Sequence, residues 1–159
     1  MTDPQTTWLT PAAHAKLREE LEHLQTEGRQ HIEERIAEAR SHGDIRENAD
    51  YDAAKNEQGL MEARIRKLRH LLDNAEVRDA RHTGVVEIGS VVTVRDDSGS
   101  ENDFFVAPRE NKVDGLLLAS PSSPLGDALM GSAEGDTVSY QAPGGTISVE
   151  IVAIRPYEG

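Results

Sequence analysis

The chain has 159 residues and no cysteine. That excludes a disulfide framework and any thiolate-bound metal. Aromatic residues make up only 4% of it and hydrophobic residues 36%. This is thin for one large core, and it fits a rod-like helical piece beside a small globular piece. No run of about 18 apolar residues exists, so no transmembrane helix and no membrane partner are expected. The start, MTDPQTTWLTP, lacks a basic n-region and an apolar h-region. No secretory leader is read there, and the expected address is cytoplasmic. Basic charge is scarce too, with a net charge of −12. A free-standing nucleic-acid binder shows a basic footprint, whereas this overall field repels phosphate. Residues 1–75 carry 15 acidic and 11 basic residues, and residues 76–159 carry 14 and 6. The densest basic cluster is RIRKLRH, Arg64 to His70. Any work near nucleic acid is therefore expected to run through a protein partner, with such local spots assisting.

Two kinds of site are also missing. The six histidines, at 14, 23, 31, 42, 70 and 82, show no H-x-x-x-H spacing. No G-x-S-x-G elbow occurs among the serines.

What the chain does have is helical periodicity in its first half. Trp8-Leu9-Thr10-Pro11 reads as a helix start, with Thr10 as N-cap and Pro11 at the first helical position. From there to about Arg40 the sequence is rich in good helix formers. Leu17, Leu21 and Leu24 recur at spacings of four and three, and Ile32, Ile36 and Ala39 resume the same rhythm. Gly28 lies between the sets, and the step from Leu24 to Ile32 is eight residues instead of seven. That mismatch predicts a local shift of the seam and not a break. A second seam runs through Ala54, Gln58, Met61, Ile65, Leu68 and Leu72. The first stripe has no other partner long enough to cover it. The two helices are thus expected to pack as an antiparallel hairpin, a rod of about 45 Å.

The grammar changes after residues 77–84, read as the boundary between two domains, 1–78 and 84–159. VVEIGSVVTVRD and NDFFVAP alternate like strands about a DDSGS turn. GLLLASP suits a buried strand. SPLGDALMG holds a short helix with Ser123 as N-cap and Pro124 at its first position. GDTVSYQAPGGTISVEIVAIRP reads as a β-hairpin around Pro143-Gly144-Gly145. The fold class is α+β: an N-terminal antiparallel coiled coil, then a small, mostly antiparallel sheet with a helix.

Between the two helical seams lies SHGDIRENADYDAAK, with four carboxylates, Asp44, Glu47, Asp50 and Asp52. Capping alone accounts for much of it. Gly43 suits the left-handed end of the first helix, and Asp44 with Glu47 makes a capping box for the second. The same two acids, three residues apart, fall on neighbouring positions of one helical face. Two carboxylates can help hold a hard cation such as Mg²⁺ but leave most of its coordination open. Such a pair suits a factor that completes its site on another molecule.

GDIRENADYDAAKNEQG resembles the tip signature of the bacterial Gre transcript cleavage factors, whose usual form is close to G-D-L-R-E-N-A-E-Y-H-A-A-K-E-E-Q. WLTPAAHAKLREELEHL is similar to the family's opening, and EARIRKLRHLLDNAEV to its second coiled-coil strand. SPSSPLGDALMG followed by GDTVSYQAPGG is similar to the family's S-P-x-x-x-A-L-x-G and P-G-G elements. The resemblance covers nearly the whole chain. It implies a coiled-coil domain over 1–78 with an acidic tip at 43–52, and an FKBP-like domain over 84–159. The latter docks at the secondary channel of RNA polymerase. It implies that the tip enters the channel, where Asp44 and Glu47 share an Mg²⁺ with the polymerase. The polymerase then hydrolyses its own backtracked nascent RNA at the 3′ end, which makes the protein a cofactor of that cleavage and not an enzyme. Arg46, Asn48, Tyr51 and Lys55 carry over as tip support.

The chain departs from the pattern at Asp52, where the family most often has His, and at Ile45, where it has Leu. The added charge at Asp52 would raise neighbouring carboxylate pKa values and alter channel entry. Some Gre homologues inhibit polymerase without stimulating cleavage, and that is the alternative reading. RIRKLRH reads as a solvated helix face or, second, as a strip against RNA or the channel wall. A prolyl isomerase would need an aromatic-lined pocket, for which residues 76–159 offer only Phe104, Phe105, Tyr140 and Tyr157.

Overall fold

A computed structural model describes residues 6–41 and 49–158. The chain divides into two compact units, one of His14–Ala75 and one of Thr7–Ala13 with Glu76–Gly159.

The first unit is the pair of long helical segments. Helix α1 (Pro11–His23) begins as its sequence dictates, with Ala13 N donating to Thr10 Oγ1 at 3.0 Å. It runs without interruption through a π-helical turn, Leu24–Gly28, into α2 (Arg29–Ser41). That turn sits where the eight-residue step falls. A π turn winds one extra residue into a continuing helix, so Ile32, Ile36 and Ala39 return to the buried face. Gly28 leaves room there, because a Cβ on it would stand 3.2 Å from Met61 Sδ. Helix α3 (Ala49–Asp73) buries Ala54, Ile65 and Leu68 and packs against α2. Charged side chains lace the two segments together. Arg29 grips Glu62 with two hydrogen bonds of 2.9 and 3.0 Å, and Arg64 grips Glu20 at the same distances. Arg35 pairs with Glu57. With its carboxamide oxygen turned toward Arg69, Gln25 accepts from Nη2 and Nε at 2.6 and 2.9 Å. The guanidinium bonds hold the Glu20 and Glu62 carboxyls below the ordinary carboxylate value.

The second unit is built on a mixed five-stranded sheet of order β5-β4-β3-β7-β6. Its strands are β3 (Ser90–Arg95), β4 (Glu101–Val106), β5 (Leu117–Ala119), β6 (Thr137–Ala142) and β7 (Gly145–Pro156). All neighbours are antiparallel except β4 and β5. The predicted β6–β7 hairpin turns at Gly145, whose φ of +127° only glycine adopts without strain. GLLLASP is an edge strand, and Leu117 is half exposed there instead of buried. Helix α4 (Pro124–Leu129) has the predicted cap, with Ser123 Oγ accepting from Gly126 N at 3.0 Å. One apolar cluster gathers Val92, Val94, Val106, Leu129 and Ile151, with Phe104 and Tyr140 against it. Another gathers Trp8, Val91, Phe105 and Ala107, with Tyr157 against it. The aromatics weighed for an isomerase pocket are thus divided between two clusters and do not converge on one cavity.

Trp8 belongs to a strand the sequence did not announce. β1 (Thr7–Leu9) pairs with β2 (Ala75–Val77) in a two-stranded ribbon, joined by Arg78 N to Leu9 O at 3.3 Å. Trp8 meets Phe105 edge-on at 6.2 Å, and Phe105 stacks on Tyr157 at 4.4 Å.

Candidate functional site at the end of the hairpin

Asp44, Glu47, Arg46 and Asn48, and with them Gly43 and Ile45, lie outside the described residues. The structure shows what flanks them. On the α2 side, Ile32, Ile36 and Ala54 of α3 form a buried cluster with Tyr51 and Met61 packed on it. Tyr51 is therefore anchored in the helix pair, two residues into α3. The Arg40 guanidinium lies over its ring, 5.7 Å from the centroid, a cation–π contact worth about 0.5–1 kcal/mol where solvent reaches it. Ser41 Oγ closes the last turn of α2 by donating to Glu38 O at 2.6 Å. Lys55 points along α3 and donates to Gln58 Oε1 at 3.0 Å. The structure thus brings Tyr51 into the packed end of the helix pair and leaves Lys55 on its exposed surface. Arg40 was not singled out by sequence reasoning. The signal available was an arginine one position beyond the seam residue Ala39.

Asp50 and Asp52 are exposed in the first turn of α3. Asp50, Arg35, Glu38 and Ala39 line a small cleft of about 160 Å³. Among the described residues no three His, Asp or Glu side chains converge as a metal site. In the basic run on α3, Arg64 and Arg69 are engaged with Glu20 and Gln25. Arg66 and Lys67 stay exposed. Acidic side chains dominate the first turn of α3.

A long helical hairpin joined to a mixed-sheet unit, with carboxylates concentrated at the hairpin end, defines the class of protein. Two matches then cover almost the whole chain. Residues 7–77 match the family described as transcription elongation factor, N-terminal, and residues 81–156 match transcription elongation factor, GreA/GreB, C-term. The chain belongs to the GreA/GreB transcription elongation factor family. It is 45% identical to the transcription elongation factor GreA of Saccharopolyspora erythraea, over all of both chains. It is 47% identical to the GreA of Mycobacteroides abscessus, over 99% of each. A crystal structure of GreA factor homolog 1 (Gfh1) of Thermus thermophilus is 32% identical, covering 94% of this chain and 99% of that one, with a TM-score of 0.44. No helix among the described residues is long and apolar enough to cross a membrane.

Proposed function

We propose that this elongation factor stimulates transcript cleavage. It binds RNA polymerase at the secondary channel, and its sheet unit, an FKBP-like fold, docks at the channel rim. The helix pair carries Asp44 and Glu47 to the polymerase active site. There they promote hydrolysis of backtracked RNA and rescue arrested complexes. On this reading the protein is a cofactor of the polymerase's own nuclease and not an enzyme. Its two domains are a coiled coil over 1–78 and a docking domain over 84–159. The observation that carries the proposal is 45% identity over the whole length of a GreA protein, in a chain that holds both acids of the signature.

The geometry supports it at three points. The run from Pro11 to Ser41 is one continuous helical path of about 45 Å, long enough to reach down a channel. Its packed end, with Tyr51 held by the Ile32 cluster and by Arg40, gives the neighbouring acids a stiff base. Carboxylate oxygens are the hard donors that Mg²⁺ takes, and two of them leave most of its coordination open. A shared ion therefore fits the donor set, with the remaining ligands from polymerase and water. When bound, Mg²⁺ would supply charge neutralisation and activation of water for in-line displacement at phosphorus. Asp44 and Glu47 would hold their oxygens toward it, Arg46 and Asn48 would brace the turn, and Lys55 would offset part of the local negative charge.

The test is a stalled, backtracked polymerase complex with labelled RNA. Adding this protein with Mg²⁺ should release short 3′ fragments. Asp44→Ala and Glu47→Ala should abolish release while competing for polymerase within about twofold of the parent. Binding with no fragments from the parent protein would instead make it a channel-blocking regulator.

A further inference from the structure

Trp8 and Arg78 both belong to the sheet unit, and each has one hydrogen-bond donor left over. Trp8 is 3% exposed. Its carbonyl is satisfied, accepting from Asn111 Nδ2 at 2.9 Å. Its indole Nε1 is buried and has no partner among the described residues. Arg78 is only partly engaged. Its backbone N donates to Leu9 O at 3.3 Å and its Nε to Glu76 Oε1 at 2.8 Å. Its Nη1 is buried and likewise has no partner among the described residues. The two leftover donors sit on neighbouring groups, because the Arg78 guanidinium carbon lies over the Trp8 ring, 5.9 Å from the centroid.

Neither donor can satisfy the other. An indole N–H and a guanidinium N–H only donate, so a third group has to accept from both. Buried polar atoms in native proteins are almost all paired, and a buried donor left unpaired costs more than a typical hydrogen bond gains. Burial restricts what the third group is. Both nitrogens are closed to solvent, which admits no peptide or nucleotide. On the indole edge that carries Nε1 the neighbour is a glycine. A Cβ on Gly89 would stand 3.3 Å from Trp8 Cζ2, so no side chain closes that edge from there. The chemistry left is a small acceptor, a water or a halide. The guanidinium already faces the Glu76 carboxylate at 2.8 Å, and burying an anion costs far more than burying a neutral molecule. A water oxygen has the two lone pairs that two donors require, and buried waters make about two to four such contacts.

We propose that Trp8 Nε1 and Arg78 Nη1 form a buried binding site for a single water molecule, which accepts from both and ties the indole to the guanidinium. The site lies on the edge of β1 where Arg78 also holds Leu9 O; Asn111 holds Trp8 O on the opposite edge. Nothing in this inference depends on the cleavage reading above.

The test uses the full chain labelled with ¹⁵N, whose single tryptophan gives one indole resonance. The expected result is direct cross-relaxation between the Trp8 indole proton and water. Its sign should differ between laboratory-frame and rotating-frame spectra, as for a water held longer than about a nanosecond; simple proton exchange keeps one sign in both. Arg78→Met leaves an unbranched stem against the ring and removes the second donor, so the cross-relaxation should fall about threefold or more. Arg78→Lys returns a donor and should recover part of the loss. If Arg78→Met loses its circular dichroism, the parent spectrum and Arg78→Lys decide. Replacing sulfate by chloride at constant ionic strength should leave the indole resonance in place. A shift that saturates with chloride would make the occupant an anion and overturn the assignment. The proposal also fails if the parent shows no direct water contact at Trp8, or if a folded Arg78→Met keeps the full contact.

Discussion

The π turn makes a quantitative prediction about chain length in α1–α2. Leu24 and Ile32 are eight residues apart, and the turn Leu24–Gly28 absorbs the extra residue. Deleting Thr26, an exposed residue whose hydroxyl donates to Glu22 O at 2.8 Å, should restore a seven-residue step and an unbroken α-helix. Ile32 and Ile36 would stay on the seam, so no buried apolar surface is lost. One fewer residue would have to be ordered, a gain of about 1–2 kcal/mol at most. The expected change is between zero and about 1 kcal/mol of stabilisation once the lost side-chain contacts are counted. Inserting an alanine after Thr26 should behave in the opposite way. Every residue beyond it turns by about 100°, which carries Ile32 and Ile36, 4% and 8% exposed, out of the seam. At about 1.5–3 kcal/mol for each side chain, the cost is about 3–6 kcal/mol. Urea titration read at 222 nm follows the helices, and Trp8 emission follows the sheet unit as an internal control. A deletion as costly as the insertion would refute the idea that the turn merely stores a surplus residue.

Three other outcomes follow from named contacts. Gly126→Ala would place a Cβ 1.9 Å from Ser120 O and should cost about 1–3 kcal/mol or more in thermal unfolding; Gly131→Ala, in open space but at φ +81°, should cost about 1–2 kcal/mol. Phe105→Ala, which removes the ring between Trp8 and Tyr157, should cost about 3–5 kcal/mol and shift Trp8 emission to the red. Acid should loosen the helix pair. The Glu20 and Glu62 carboxyls titrate below their usual value because Arg64 and Arg29 hydrogen-bond them, so their contribution is present above the ordinary carboxylate range and fades as pH falls through the lowered values. The drop of melting temperature over that window should be shallower in Glu20→Gln/Glu62→Gln.

The helical half was legible because its signal is local and repeated. Leu17 to Ala39 and Ala54 to Leu72 spell out two seams, and even the π turn was written in as an eight-residue step. Caps were legible for the same reason: Thr10 and Ser123 act on amides three residues away. The sheet unit was legible as strands but not as a sheet. Nothing in the alternation of SVVTVR or ENDFFV tells which neighbour each takes, so the parallel pairing of β4 with the short β5 was not foreseen. Least legible was β1. Three residues carry no periodicity, and Asn111 sits among Arg, Glu and Lys with no apolar pattern to mark it as buried. Its burial comes with hydrogen bonds to Trp8 and Thr10, about one hundred residues away. At the hairpin end, Tyr51 could be read as a support residue from the signature, but its cation–π partner Arg40 needed the fold.

The seating of β1 has a consequence for how the molecule is made. The sheet unit requires Trp8 and Leu9, which precede the hairpin in the chain, and Phe105, Asn111 and Tyr157, which follow it. Its core therefore cannot close until the residues after the hairpin have been made, and the first strand must wait while the entire hairpin emerges between the two parts. Contacts of such long sequence separation slow folding. They also make the unit tolerant of a break: a peptide bond cut within the hairpin would leave its two contributing segments still joined through β1, β2 and Asn111. In that sense the helices are an insertion within the sheet unit, and the N-terminal segment is its first strand and not a tail.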